Sequence, residues 1–230
     1  LLLRLYQEGH LDEITYELSI AEEVPLRTKQ LPNHSGHLIN LLERQGQKGK
    51  SIQTHIDVNL QESVIDLSRY HMKHWEANFV FNCSILITEV ETGNVLAYMG
   101  NLDKAKDHSY VDVIQAQRST GSILKPLLYS SMLEEGEILP HQLIPDIPTN
   151  IAGYKPVNFH ETFDGAVPAS ECLIRSLNVP SVLMLRKHGV QKFHTQLNML
   201  GFNHMSKASS HYGLSLILGG AETNLWELNR

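Results

Sequence analysis

Ser122 and Lys125 are three residues apart, so on a helix their side chains lie on one face. A serine hydroxyl is a weak nucleophile unless a neighbouring base accepts its proton. A lysine can be that base when burial or nearby positive charge lowers the pKa of its ammonium group. The spacing therefore predicts an acyl-transfer nucleophile, although a serine N-cap followed by a solvated lysine fits it too.

The residues around this pair predict where its helix begins. Pro126 is tolerated in the first turn of a helix, where a missing N–H costs little, and is unfavourable in the interior. Gly121 leaves room for a ligand backbone. We therefore expect a helix from about Ser122 to about Leu133, with Ser122 in its first turn, where the helix dipole favours developing negative charge.

Ser176 and Asn178 form a second polar pair, just before Pro180, which suits the first position of another helix. In an extended segment alternate residues point the same way, so both side chains could face one cleft. The hydroxyl could relay a proton, and the carboxamide could bind an amide by donor and acceptor together. Ordinary turn and capping chemistry is the alternative for this pair.

The elements that would position these residues indicate an α+β domain. Residues 1–49 resemble helical linker material interrupted at Gly9 and Pro25, and residues 50–230 resemble a domain. Its predicted elements are a strand at Ser51–Ile56, a helix capped by Asp57 with Leu60, Val64, Leu67 and His71 on one face, a hairpin of Cys83–Val90 with Val95–Met99, an extended covering loop at Glu134–Val167, and helices at Pro168–Ile174, Pro180–Lys187 and Val190–Leu200. The sheet is short of strands for so much helix, which predicts missing C-terminal strands.

Bulk properties exclude several classes of function. The formal net charge is −6, so a basic surface for nucleic acid is not expected. No apolar stretch is long enough to span a bilayer. Cys83 and Cys172 each adjoin an apolar run, and we expect two buried thiols.

Thirteen histidines raise the alternative of a metal-dependent hydrolase. The pairs His34/His37 and His71/His74 have helix-compatible spacing. Neither pair has the glutamate of an H-E-x-x-H motif or a clustered cysteine. We therefore expect no metal and no other cofactor.

The two polar pairs together match two parts of a known signature, S-x-x-K followed by S-D-N and K-T-G, found in β-lactamases and penicillin-binding proteins. The chain resembles the class A penicillin-binding proteins over about residues 50–230, and its first residues resemble the segment joining that family's glycosyltransferase and transpeptidase domains. The resemblance rests on Arg118–Pro126, Gly153–Phe159, Ser176–Val182 and Tyr212–Gly220, in the family's order.

The resemblance implies a D,D-transpeptidase of peptidoglycan synthesis with a serine transpeptidase fold like that of β-lactamases. Ser122 would attack the D-Ala-D-Ala amide of a stem peptide, with Lys125 as proton acceptor, Ser176 as proton relay and Asn178 binding the peptide amide. β-Lactams would acylate the same serine. The parent protein would be anchored in the bacterial inner membrane, with this domain soluble on its periplasmic face and a glycosyltransferase domain upstream.

One part of the signature is missing, since neither K-T-G nor K-S-G follows Asn178. We expect it beyond Arg230, so this chain would carry two of three motifs. A non-catalytic binding or scaffolding module is therefore an alternative. A β-lactamase or carboxypeptidase would share the chemistry, but the linker-like N-terminus and the S-L-N sequence favour the transpeptidase.

Overall fold

The computed structural model describes residues 1–22, 33–102 and 109–229. The chain divides into two units, Leu1–Asn33 and His34–Arg230. This division falls before the helix Gly36–Leu42, whereas the sequence suggested a boundary at residue 49.

Within its described residues, the first unit contains two short helices, α1 (Leu2–Gln7) and α2 (Glu13–Ala21). Gly9 lies at φ +77° after α1, as expected for a helix-ending glycine. Asp12 caps α2 by accepting a hydrogen bond of 2.6 Å from Thr15 N. The predicted break at Pro25 lies outside the described residues.

The second unit begins with helices and a hairpin. Its first elements are α3 (Gly36–Leu42), a π-helical turn (Glu43–Gln47), α4 (Val58–Trp75), a 3-10 turn (Glu76–Asn78), β1 (Ile85–Thr88) and β2 (Val95–Met99). β1 and β2 pair antiparallel, which confirms the predicted hairpin. No strand forms at Ser51–Ile56, contrary to the prediction. The residue after this segment, Asp57, donates its backbone N–H to Leu96 O in β2.

Asp57 caps α4 as predicted, but the buried face of that helix differs from the predicted one. It consists of Gln61, Val64, Ser68 and Met72. Gln61 is buried because its carboxamide bonds both the N–H and the C=O of Tyr98 in β2. These bonds satisfy a buried polar side chain, which the apolar pattern could not reveal.

The rest of the second unit is mainly helical. Its elements are β3 (Arg118–Ser119), α5 (Lys125–Glu134), β4 (Leu143–Asp146), β5 (Gly165–Pro168), α6 (Ala169–Ile174), α7 (Asn178–His188), α8 (Val190–Met199), α9 (Ser209–Tyr212), a 3-10 helix (Gly213–Leu218), β6 (Glu222–Thr223) and α10 (Leu225–Leu228). The region predicted as an extended covering loop, Glu134–Val167, therefore contains most of an antiparallel pair, β4 with β5. The strands were missed because β4 includes a proline and both are only four residues long.

The largest core cluster supports α5 and α7. It includes Leu124, which directly precedes α5, Leu128 and Met132 from α5, and Val182 and Leu185 from α7. Burying a side chain of this size stabilises a fold by about 1.5–3 kcal/mol. The helices α5 and α7 are thus held against a common core.

Both cysteines are free, as predicted. Cys172 is buried, but Cys83 is only half-buried, contrary to the expectation of two buried thiols. Among the described residues, no helix is long and apolar enough to cross a membrane.

Candidate active site

Ser122 lies in a turn directly before α5. The α-helix begins at Lys125, three residues later than predicted. Pro126 supplies the reason, because it has no N–H to bond the Ser122 carbonyl in an α-helical turn. That carbonyl instead accepts from Lys125 N across 3.1 Å in a tighter turn. The Ser122 side chain is exposed in a cleft of about 550 Å³ that Ser176 and Asn178 also line.

Lys125 is buried, with 3% of its surface exposed, and its ammonium group points into the second polar pair. Nζ donates to Ser176 O (2.7 Å), Ser176 Oγ (3.1 Å) and Asn178 Oδ1 (2.8 Å), and lies 3.4 Å from Leu177 O. Among the described residues, no hydrogen bond joins it to Ser122 Oγ. The structure thus brings Lys125, Ser176 and Asn178 into direct contact and places Ser122 beside them in the same cleft.

Burial lowers the pKa of Lys125 from 10.5 to about 8. At neutral pH, about one Lys125 side chain in ten is then an uncharged amine, compared with about one in three thousand for an ordinary lysine. The site therefore contains a base in useful amounts beside a serine hydroxyl.

Ser176 has a left-handed backbone at φ +51°, which is unusual for a residue other than glycine. Ser176 is therefore not part of an extended segment, and the prediction of such a segment is wrong. The turn still points the Ser176 carbonyl and hydroxyl oxygens at Lys125. Strained conformations of this kind persist where surrounding contacts hold them.

Asn178 is the first residue of α7, two residues earlier than predicted. Its Oδ1 accepts from Lys125, and its Nδ2 donates to Val157 O across 2.9 Å. A carboxamide has a second N–H and a second lone pair. One donor and one acceptor therefore remain for a ligand in the cleft.

Sequence reasoning assigned no role to four further residues that line the cleft, Asn158, Phe159, His160 and Thr162. Phe159 is 90% exposed, and Asn158 is 4% exposed. Their only signal in the sequence was their place in the Gly153–Phe159 segment. Arg175, also at the cleft, pairs with Asp164 at 2.5 Å.

The histidine pairs considered as metal ligands have other contacts. His37 Nε2 lies 2.8 Å from Ser109 O, and the rings of His71 and His74 pack against Tyr70. Across the described part of the chain, the only cluster with metal-ligand geometry is Glu135, Glu137 and His188. The ammonium group of Lys192 already bridges its two carboxylates.

A family profile described as the penicillin binding protein transpeptidase domain matches residues 83–229. The chain belongs to this family. It is 33% identical over 185 residues to penicillin-binding protein 1C of Escherichia coli K12, a match that covers 79% of this chain and 24% of that protein. It is 30% identical over 150 residues to penicillin-binding protein 1A of Rickettsia felis, covering 63% of this chain and 18% of that protein. The chain thus spans a quarter or less of the length of these curated relatives.

Solved structures support the same fold. The penicillin-binding protein PonA1 of Mycobacterium tuberculosis superposes with a TM-score of 0.63 at 20% identity, covering 84% of this chain and 53% of that one. The structure of PonA1 in complex with penicillin V matches equally well. Penicillin-binding protein 1A of Haemophilus influenzae gives a TM-score of 0.53 at 21% identity, covering 64% of this chain and 22% of that one. The expected α+β transpeptidase-type fold is therefore confirmed.

Proposed function

We propose that the chain carries the acylation site of a peptidoglycan D,D-transpeptidase, with Ser122 as nucleophile. The observation that carries this proposal is the contact of buried Lys125 with Ser176 and Asn178 beside Ser122. Membership of the transpeptidase family agrees with it.

In the proposed reaction, uncharged Lys125 accepts the hydroxyl proton as Ser122 Oγ bonds the carbonyl carbon of a D-Ala-D-Ala amide. The C–N bond breaks, and the leaving D-Ala amine receives a proton through Ser176. An amine of a neighbouring stem peptide then attacks the ester, and Ser122 regains its proton. The free donor and acceptor of Asn178 bind the substrate amide.

A β-lactam would undergo the first half of this reaction. Its ring C–N bond opens when Ser122 attacks, and the leaving nitrogen stays tethered within the adduct. Acylation is the step that the Ser122, Lys125, Ser176 and Asn178 groups support. The sequence contains no K-T-G motif. The setting is the periplasmic face of a bacterial membrane, in a protein with a glycosyltransferase domain upstream and a linker like residues 1–49.

The test is labelling of the chain with a fluorescent penicillin, followed by mass spectrometry of the labelled peptide. We expect one adduct on Ser122, lost in Ser122→Ala. Ser130→Ala is the matched control, because Ser130 is an exposed serine of the adjoining α5. An adduct that survives Ser122→Ala would refute the nucleophile, and a folded wild-type chain that forms no adduct would leave only a non-catalytic binding role.

A further inference from the structure

Asp146 and Asn158 form a buried polar pair behind the cleft. Asp146, the last residue of β4, is 0% exposed, and Asn158 is 4% exposed. Asn158 Nδ2 donates to Asp146 Oδ1 across 2.7 Å. The second oxygen of Asp146 accepts from Asp164 N across 3.0 Å. Burying such groups costs free energy unless they are hydrogen-bonded, so this pairing fixes both side chains.

Asn158 uses every hydrogen-bonding group of its carboxamide. Its second Nδ2 hydrogen goes to Thr162 O across 2.9 Å. Its Oδ1 accepts from two backbone N–H groups, those of Asn178 (2.9 Å) and Val179 (3.2 Å). The reversed carboxamide would place an NH₂ against two donors and an oxygen against two acceptors. Only one orientation of Asn158 therefore satisfies its surroundings.

The two N–H groups that Asn158 binds are the first two of α7. Leu177, the N-cap residue of α7, provides no side-chain cap. Asn158 thus performs from another segment the capping that a serine or aspartate performs locally. Through this cap it fixes the backbone from which the Asn178 side chain reaches Lys125.

We propose that Asn158, oriented by Asp146, is a positioning residue for acylation. It holds Asn178 so that the Asn178 carboxamide and the adjacent Ser176 turn keep Lys125 beside Ser122. The chain of contacts runs from Asp146 to Asn158, to Asn178 and then to Lys125. This inference rests on the proposed acylation function.

An exchange of side chains separates positioning from simple support of the fold. Asn158→Asp keeps an acceptor for α7 but places a carboxylate oxygen against Asp146 and against Thr162 O. In the double variant Asp146→Asn/Asn158→Asp, Asn at 146 donates to Asp at 158 and still accepts from Asp164 N. The double variant restores the pairing and the total charge, and leaves only the mismatch at Thr162 O.

The experiment measures the rate of penicillin acylation at Ser122 per folded molecule, together with the initial binding constant and the thermal unfolding midpoint. We expect Asn158→Asp to lower the acylation rate constant at least about ten-fold with little change in initial binding, because misplacing a catalytic group by about 1 Å can slow a reaction about a hundred-fold. The double variant should recover most of that loss. A folded Asn158→Asp chain that acylates at the wild-type rate, or a double variant without recovery, would overturn the proposal.

Amide hydrogen exchange at Asn178 and Val179 tests the same coupling without chemistry. We expect faster exchange in Asn158→Asp and restored protection in the double variant. If the wild-type chain takes up no penicillin, the proposed function fails, and the role of Asn158 in acylation fails with it. Unchanged protection in Asn158→Asp would show, independently of that outcome, that Asn158 does not hold the start of α7.

Discussion

Lys125 Nζ donates a hydrogen bond of 2.8 Å to Asn178 Oδ1, which joins the turn of the S-x-x-K motif to the start of α7. The bond closes the site from two segments that are 53 residues apart in the chain. The contact also costs free energy, because it holds a charged ammonium group away from water. The lowered pKa of Lys125 is the result of that burial.

Acylation of Ser122 should therefore depend on pH through Lys125. The base is the uncharged amine, and its fraction rises with pH until the pKa of about 8 is passed. We expect the acylation rate constant to rise about ten-fold per pH unit below that value and to level off above it. Time courses with a fluorescent penicillin from about pH 6 to about pH 9.5 measure this profile.

Lys125→Met should abolish the rise, while Lys192→Gln should leave the profile unchanged. Lys192 is a suitable control because it lies on α8 and pairs with Glu137. A midpoint near 10.5, or a rate that does not change through pH 8, would contradict Lys125 as the base.

The left-handed turn at Ser176 makes a separate prediction about stability. Ser176→Gly and Ser176→Ala both remove the hydroxyl, but only glycine adopts φ +51° without strain. We expect the glycine variant to have a free energy of unfolding about 0.5–1 kcal/mol higher than the alanine variant, after the greater entropy of glycine in the unfolded chain is counted. Urea unfolding of the two variants measures the difference.

The same pair of substitutions at Ser130 provides the control. Ser130 lies within α5, where glycine is about 1 kcal/mol less favourable than alanine. The order of stability should therefore reverse between the two positions. The same order at both would show that Ser176 carries no backbone strain.

The sequence predicted the local parts of this site better than the long-range parts. The spacing of Ser122 and Lys125 is local, so it was visible in the chain. Pro126 lies in the first turn of α5, as expected, but the helix starts three residues later than predicted because Pro126 has no N–H to bond the Ser122 carbonyl. Asn158 carried no pattern of its own, because its partners Asp146 and Asn178 are 12 and 20 residues away and meet only in the fold.

The same distinction applies to the fold. The β1–β2 hairpin was predicted because its two apolar strands and the turn between them are consecutive in the sequence. The pairing of β4 with β5 joins short segments that include Pro145 and Pro168, and it was missed. Gln61 was not recognised as buried because its stabilising partner, Tyr98, lies on a distant strand.

Gly219 supports the turn that carries Ser122, and its replacement should reduce acylation. A Cβ at Gly219 would lie 2.5 Å from Ser119 Oγ and 2.9 Å from Gly121 N, closer than van der Waals contact allows. Ser119 already bonds Gly219 O across 2.8 Å, so these two segments cannot separate without losing that bond. Gly219→Ala should therefore displace the turn before Ser122 and lower the acylation rate constant at least about ten-fold.

Gly136→Ala separates this displacement from backbone strain. Gly219 has a φ of +98° and Gly136 a φ of +69°, but a Cβ at Gly136 would meet no atom within 4 Å. Both variants should lose about 1 kcal/mol or more of unfolding free energy, because alanine is strained at either position. Only Gly219→Ala should slow the labelling of Ser122 by penicillin when both are compared at a temperature where each is folded. Equal rates in the two variants would show that the turn tolerates the added methyl group, and the close packing of Gly219 on Gly121 would then have no part in placing the nucleophile.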